Sequence, residues 1–192
     1  MRCLLLSGDT LAVVESLIQR EEAMPYLIAV VIALSQSLGS SIPAADITHV
    51  DIVDTTENAI LNNVTDTPMR TIDAGGHNIG VALAHRGPSS NVVAGTIHSE
   101  VTEIYTVLAG SGTLVTGGRL LNPKEREITP LRMLQSGPGW TGSGMDGAVS
   151  REVVEGDIIV IPAGTPHYFS GIANSITYSI VRVDPDQILT LK

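Results

Sequence analysis

Three side chains of types that ligate metals or move protons stand in the second half of the chain, and their local spacing puts them on strands. His98 and Glu103 flank a short connection. Glu103, Tyr105 and Val107 then alternate with Ile104, Thr106 and Leu108 until Gly110 and Gly112 interrupt the pattern, the period of a β-strand. A carboxylate buried beside an imidazole is costly unless its charge is compensated, and a divalent metal is the usual compensator. Further on, Gly156-Asp-Ile-Ile-Val-Ile runs as an apolar, β-branched strand into Pro162-Ala-Gly164-Thr-Pro166, a turn that delivers a third candidate ligand, His167. Two imidazoles and a carboxylate on one face of a metal are the arrangement of non-haem Fe(II) in oxygen chemistry, and the same donors accept Mn, Ni, Co or Zn. Tyr105 shares the parity of Glu103 and is expected to enter the same space with its hydroxyl free for a partner. His85 ends the alternation Val81-Leu83-His85 and is expected to face the interior too, which makes Tyr105 and His85 the candidate acid/base groups. His49 and His77 fall in a terminal region and a turn and receive no role.

Each of these residues also has a plain structural explanation. A lone buried histidine is more often a hydrogen-bonded core residue than a ligand. Glu103 can pair with Arg182 or Arg70 in the core. His167 suits the polar exit of a turn. The metal reading rests on the three taken together.

The two stretches resemble the paired motifs of the cupin superfamily, G-x5-H-x-H-x3,4-E-x6-G and G-x5-P-x-G-x2-H-x3-N. Glu103 through Gly110 fits the end of the first, and Gly156 through His167 fits the second. Counting back from Glu103 puts His98 on the second histidine of the H-x-H pair, which leaves Thr96 where the first would be; Gly171 stands in place of the final Asn. The resemblance spans roughly residues 70–185. It implies an all-β fold, a cupin double-stranded β-helix (a jelly-roll-like barrel), with a pocket inside; a homodimer is the expected assembly. It also implies a metal site of three histidines and one glutamate, here short of one ligand. Water or substrate fills the gap, or Glu100 swings in, or the pocket holds no metal.

The rest of the chain frames that site. At 192 residues it suits one domain with a substantial core. Aromatics are few, Gly is plentiful, and Val, Ile, Leu and Thr recur in short runs, a composition that favours β-structure with many turns. A net charge of −9 with no basic cluster argues against a nucleic-acid partner. The single cysteine, Cys3, rules out a disulfide framework and a cysteine metal site.

Residues 1–45 read as a leader preceding a single barrel domain over 46–192. Leu11, Val14, Leu17 and Ile18 are spaced for one face of a helix within residues 1–22. From Ala23 to Ala45 no residue is charged, and the apolar core Tyr26–Leu34 followed by Ile42-Pro-Ala-Ala45 has the proportions of a secretory signal, with cleavage near Ala44 or Ala45. That stretch is too short and too rich in Ser, Gly and Pro for a membrane span. Export to the periplasm or medium is therefore one expectation. The other is a cytoplasmic protein whose N-terminal helix packs on the barrel or on a second subunit, because Glu21 and Glu22 stand where a basic flank belongs.

Within the domain, Thr55 or Thr56 is the expected N-cap of a short helix over Glu57–Leu61. Strands are expected at Met69–Ile72, Ile79–His85, Val92–His98, Arg119–Leu121, Val149–Val154, Ile158–Ile161 and Ser175–Val183, with a turn at Gly75-Gly76. Gly137–Gly147 is too glycine-rich for a regular element and reads as a flap over the pocket or as a turn with Trp140 capping the barrel. The function expected is a metal-dependent enzyme acting on a small-molecule substrate, of dioxygenase type. The alternatives are a metal-free isomerase or epimerase, in which His98 or His85 acts with Tyr105, and a non-catalytic small-ligand-binding barrel.

Overall fold

The protein is described by a computed structural model over residues 44–89 and 94–192. The helix and secretory leader read in the first 43 residues lie outside the described residues. Helix α1 (His49–Asn62) begins earlier than the sequence pattern indicates. Thr48 is its N-cap: the Thr48 side chain accepts from the Asp51 N–H at 3.2 Å, and the Asp51 carboxylate accepts from the Thr48 N–H at 2.8 Å. This capping box satisfies two donors reciprocally and overrides the weak alternation of residues 46–53. Thr56 lies inside the helix and donates its hydroxyl to the Ile52 carbonyl at 2.7 Å. Asn63 closes the helix with φ 52°, a left-handed cap.

The strands are β1 (Asp66–Asp73), β2 (Asn78–Arg86), β3 (Gly95–His98), β4 (Thr102–Thr116), β5 (Arg119–Leu121), β6 (Lys124–Glu125), β7 (Gly139–Gly142), β8 (Gly144–Asp146), β9 (Val149–Val154), β10 (Ile158–Ile161), β11 (His167–Gly171) and β12 (Ile176–Asp184). They pair antiparallel in the order β1-β2-β12-β4-β11-β3-β7-β6, with β9 and β10 also on β4 and with β5-β8 as a separate ribbon.

Strand β4 carries the curl. Its first half pairs with β12 and β10, and its second half with β11 and β9. Its inward residues are Glu103, Tyr105 and Val107 before the bend and Gly112 and Leu114 after it. The parity changes because the register with β12 slips between Thr177 and Tyr178, and a one-residue bulge turns the strand over. Gly110 sits at that bend with φ 79°, where a Cβ would lie 2.0 Å from the Ser175 carbonyl oxygen; only glycine fits. The curled sheet therefore lines a common interior, in which Phe169 of β11 meets Tyr178 of β12 at 5.6 Å between ring centres.

Three further departures from the sequence expectation have physical reasons. Gly139–Gly142 and Gly144–Asp146 are strands, and the first extends the sheet on β3. A Cβ on Gly139 would lie 2.0 Å from the Ile97 carbonyl oxygen, so glycine here permits close pairing and does not loosen the chain. Trp140, opposite Ile97 and Glu125, is exposed and is neither on a flap nor capping the interior. Pro130–Gln135 forms a short helix, α2, behind the N-cap Thr129. No helix among the described residues is long and apolar enough to cross a membrane.

Candidate metal centre

His98 leaves β3, Glu103 and Tyr105 point inward from the first half of β4, and His167 opens β11. The three expected ligands converge. Glu103 Oε2 is 3.5 Å from His98 Nε2 and 3.6 Å from His167 Nε2, and one donor atom from each of the three lies within 4.8 Å of the others. All three are buried, Glu103 almost completely at 1% exposure. They line a cavity of about 410 Å³ together with Thr96, Tyr105, Tyr178 and Arg182. The turn at Gly164 aims His167: the Gly164 N–H donates to the His98 carbonyl at 2.8 Å, tying the turn to β3.

The charge at the centre is compensated by residues from distant strands. Arg182 of β12 donates through Nε to Glu103 Oε1 at 2.9 Å and through Nη2 to Asp66 Oδ2 at 2.6 Å. Tyr105 donates its hydroxyl to Glu103 Oε2 at 2.7 Å and lies 3.4 Å from His167 Nε2, so this hydroxyl is not free. Arg70, the other partner considered for Glu103, is exposed. Burial pushes the Glu103 carboxyl up, but His98, Arg182, His167 and the Tyr105 hydroxyl outweigh it and hold it at about 2. Burial brings His98 down to about 4 against the pull of Glu103. At neutral pH, then, the His98–Glu103 approach joins a neutral imidazole to a carboxylate, and Arg182 is the cation that neutralises Glu103. Burial and the Glu103 charge raise the Tyr105 phenol well above its usual range, which keeps it a proton donor.

The donor set fits a divalent metal in type and spacing. His167 faces the Thr165 carbonyl through Nδ1 at 3.0 Å, which places the proton there and leaves Nε2 free to ligate. His98 is different. Its Nδ1 lies 3.3 Å from Arg126 Nη1, and arginine only donates, so Nδ1 accepts and Nε2 carries the proton. Ligation through Nε2 requires the other tautomer, with Arg126 turned away.

The remaining expected residues divide. Thr96 lines the cavity and is paired opposite His167 between β3 and β11, as its alignment with the missing histidine requires. Glu100 is exposed and does not reach in. His85 is a correction: its Nδ1 meets Thr177 Oγ1 at 2.8 Å, and the ring lines a groove with Ala59, Ile60 and Asn63 outside this cavity. The small residues Gly80, Ala82 and Ala84 take the inward positions of β2, with Ala82 and Ala84 in the interior cluster. Both faces of this strand are covered, Leu83 and Ala82 each being 0% exposed, so alternation did not reveal which face was inside.

Strand order, the curl of β4 and the placing of both motifs around one cavity decide the fold. It is an all-β fold, a curled antiparallel sheet with that cavity inside it. No family model matches the chain, and no curated protein matches it. Among solved structures it is similar to a protein of Bacillus halodurans, at 17% identity over 77% of this chain and 87% of that one, with a TM-score of 0.45. It is also similar to an RmlC-like cupin family protein with a double-stranded β-helix fold from Methanocaldococcus jannaschii, at 10% identity over 76% of this chain and 94% of that one, with a TM-score of 0.36. A predicted oxalate decarboxylase from Thermotoga maritima is similar at 16% identity over 62% and 92%, with a TM-score of 0.33. Likenesses this distant carry nothing about activity.

Proposed function

We propose that this protein is a cupin that holds a divalent metal on His98, Glu103 and His167 and acts as a metal-dependent enzyme, of dioxygenase type, on a small organic molecule. The observation that carries this reading is the convergence of two imidazoles and one carboxylate within 4.8 Å at the wall of a buried cavity, the donor set of non-haem iron sites. A metal there would supply Lewis acidity and, if redox-active, one-electron chemistry with O2. The chain's own residues then have separate tasks. Arg182 orients the Glu103 carboxylate by occupying Oε1. The Thr165 carbonyl fixes the His167 tautomer. Tyr105 keeps a proton at its hydroxyl between Glu103 and His167, where it can be donated to a bound molecule.

A second reading, a metal-free isomerase or epimerase, is favoured by two contacts: Arg182 already neutralises Glu103, and Arg126 holds His98 in the non-ligating tautomer. With His85 outside the cavity, its acid is Tyr105 and its base His98 or His167. Elemental analysis of purified protein, followed by titration of the metal-stripped protein with Fe(II), Mn(II), Ni(II) and Zn(II), separates the readings. One tightly held ion per chain, lost in Glu103→Gln, is expected. Wild-type protein that takes up no metal leaves the second reading in possession of the site.

A further inference from the structure

The chain carries 20 acidic against 11 basic residues, yet four arginines, Arg86, Arg126, Arg132 and Arg182, line the cavity described above, against two carboxylates, Asp66 and Glu103. Four less two leaves an excess of two positive charges in a protein that is otherwise strongly negative. Two of these arginines are committed. Arg182 bridges Glu103 and Asp66, while Arg86 donates through Nε to the Tyr178 hydroxyl at 2.9 Å and lies over the Phe169 ring at 5.6 Å.

The other two are not. Among the described residues neither Arg126 nor Arg132 pairs with a carboxylate. The contact of Arg126 is to the uncharged Nδ1 of His98, and Arg132 Nε is buried with no hydrogen-bond partner at all. A desolvated guanidinium N–H without an acceptor is unfavourable. Both side chains also line the adjoining groove with Thr96, Lys124, Glu125 and Glu127, so they stand where the cavity meets that groove, and neither glutamate forms an ion pair with them. On the cavity wall Asp66 Oδ1 is likewise buried without a partner. Two forked donors without a carboxylate and an unmatched acceptor thus bound one space.

We infer that the molecule bound beside His98, Glu103 and His167 is a small organic carboxylate, its carboxylate gripped by Arg126 and Arg132 and a hydroxyl or amino hydrogen given to Asp66. Guanidinium forks match a planar carboxylate with parallel hydrogen bonds. A phosphate dianion brings a second negative charge to a wall that already holds the charges of Asp66 and Glu103. The inference rests on the cavity being the working site, as proposed above, but not on a metal being in it.

The test is calorimetric titration of the full chain with lactate, mandelate, propionate, lactamide and inorganic phosphate. The hydroxy acids are expected to bind saturably, propionate more weakly, and neutral lactamide not at all. Arg132→Gln is expected to weaken the hydroxy acids at least about tenfold, with partial recovery in Arg132→Lys; Arg126→Gln reads the same contact should the Arg132 variants fail to fold. Absence of saturable binding by any carboxylate overturns the inference. So does binding of lactamide or phosphate as tight as that of lactate, or hydroxy-acid binding indifferent to both arginines. Metal content of the same samples keeps the two proposals apart: carboxylate binding without metal sinks only the metal centre, and metal without carboxylate binding sinks only this inference.

Discussion

Two regions of the barrel interior are built on the same strands and are chemical opposites. Where β4 bends, Val107, Val153, Ile172 and Ile176 meet as fully buried apolar side chains. A few residues earlier on the same strand, Glu103 is 1% exposed and Arg182 beside it 2% exposed, with His98, His167 and Tyr105 around them. Apolar burial stabilises wherever it occurs. A buried ion pair roughly balances its own desolvation and is often matched or bettered by apolar residues of the same shape. The contrast therefore teaches that the polar region is not needed to hold the barrel together, and that its arrangement is explained by what it binds.

The sharpest way to break that comparison is to disturb both regions equally and ask which can be repaired. Ile176→Ala is expected to cost about 2–5 kcal/mol through lost packing. Arg182→Met is expected to cost about 3–5 kcal/mol because Glu103 is left buried and unpaired. Adding Glu103→Leu to Arg182→Met should restore part of the second loss, with Asp66 Oδ2 and the Tyr105 hydroxyl still lacking their partners, and abolish metal binding, as read by urea unfolding and metal titration. A double variant no more stable than Arg182→Met alone would show that the two side chains are not coupled.

Acid separates the regions next. His98 titrates at about 4 in the folded protein against 6.5 ordinarily, and Glu103 at about 2 against 4.5. Both values are depressed, so the unfolded chain binds more protons and stability falls as pH falls. The His98 part is present above about 6.5 and lost between there and 4, and the Glu103 part is lost between 4.5 and 2. The first step is on the order of 3 kcal/mol for metal-free protein, and His98→Leu should remove it and shrink the second, because His98 is the first of the groups that hold Glu103 down. Unfolding free energies that agree at pH 7 and pH 5 would contradict the neutral, buried His98.

A smaller effect is expected at the turn that aims His167. Gly164 has φ 77° and open space around its Cβ direction, so Gly164→Val meets backbone strain and no clash, about 1–3 kcal/mol. Melting temperature and metal affinity should fall together, whereas Ile176→Ala lowers the melting temperature alone. The smallest change is a gain. Thr96→His adds a nitrogen donor across from His167 and should tighten metal binding about tenfold, roughly 1.4 kcal/mol. Glu100→Gln should change nothing, because Glu100 points to solvent. Loss of metal in that variant would redraw the ligand set.

Much of the site was legible because its logic is local. Glu103 and Tyr105 share a face by strand parity, and Gly164 shapes the turn that presents His167; both follow from a few consecutive residues. The capping box at Thr48 and Asp51 was equally local and was missed, since a short acidic box competes with a weak alternation that looks like a strand. The glycines of 137–147 misled for another reason. Absence of side chains reads as looseness in a sequence, yet in a sheet it also permits backbones to approach.

What the sequence determined by itself, then, is most of the strands, the shared face of Glu103 and Tyr105 and the turn before His167, because periodicity and turn chemistry act over neighbouring residues; that His98 and His167 stand with Glu103 was implied only by the resemblance of the two motifs. Only the tertiary structure decided that His85 faces away and that Arg182, 79 residues from Glu103 and 116 from Asp66, neutralises both. It alone brought Arg126 and Arg132 to the same cavity. Charge compensation acts through space between strands paired across the sheet, and no spacing along the chain records which strands those are.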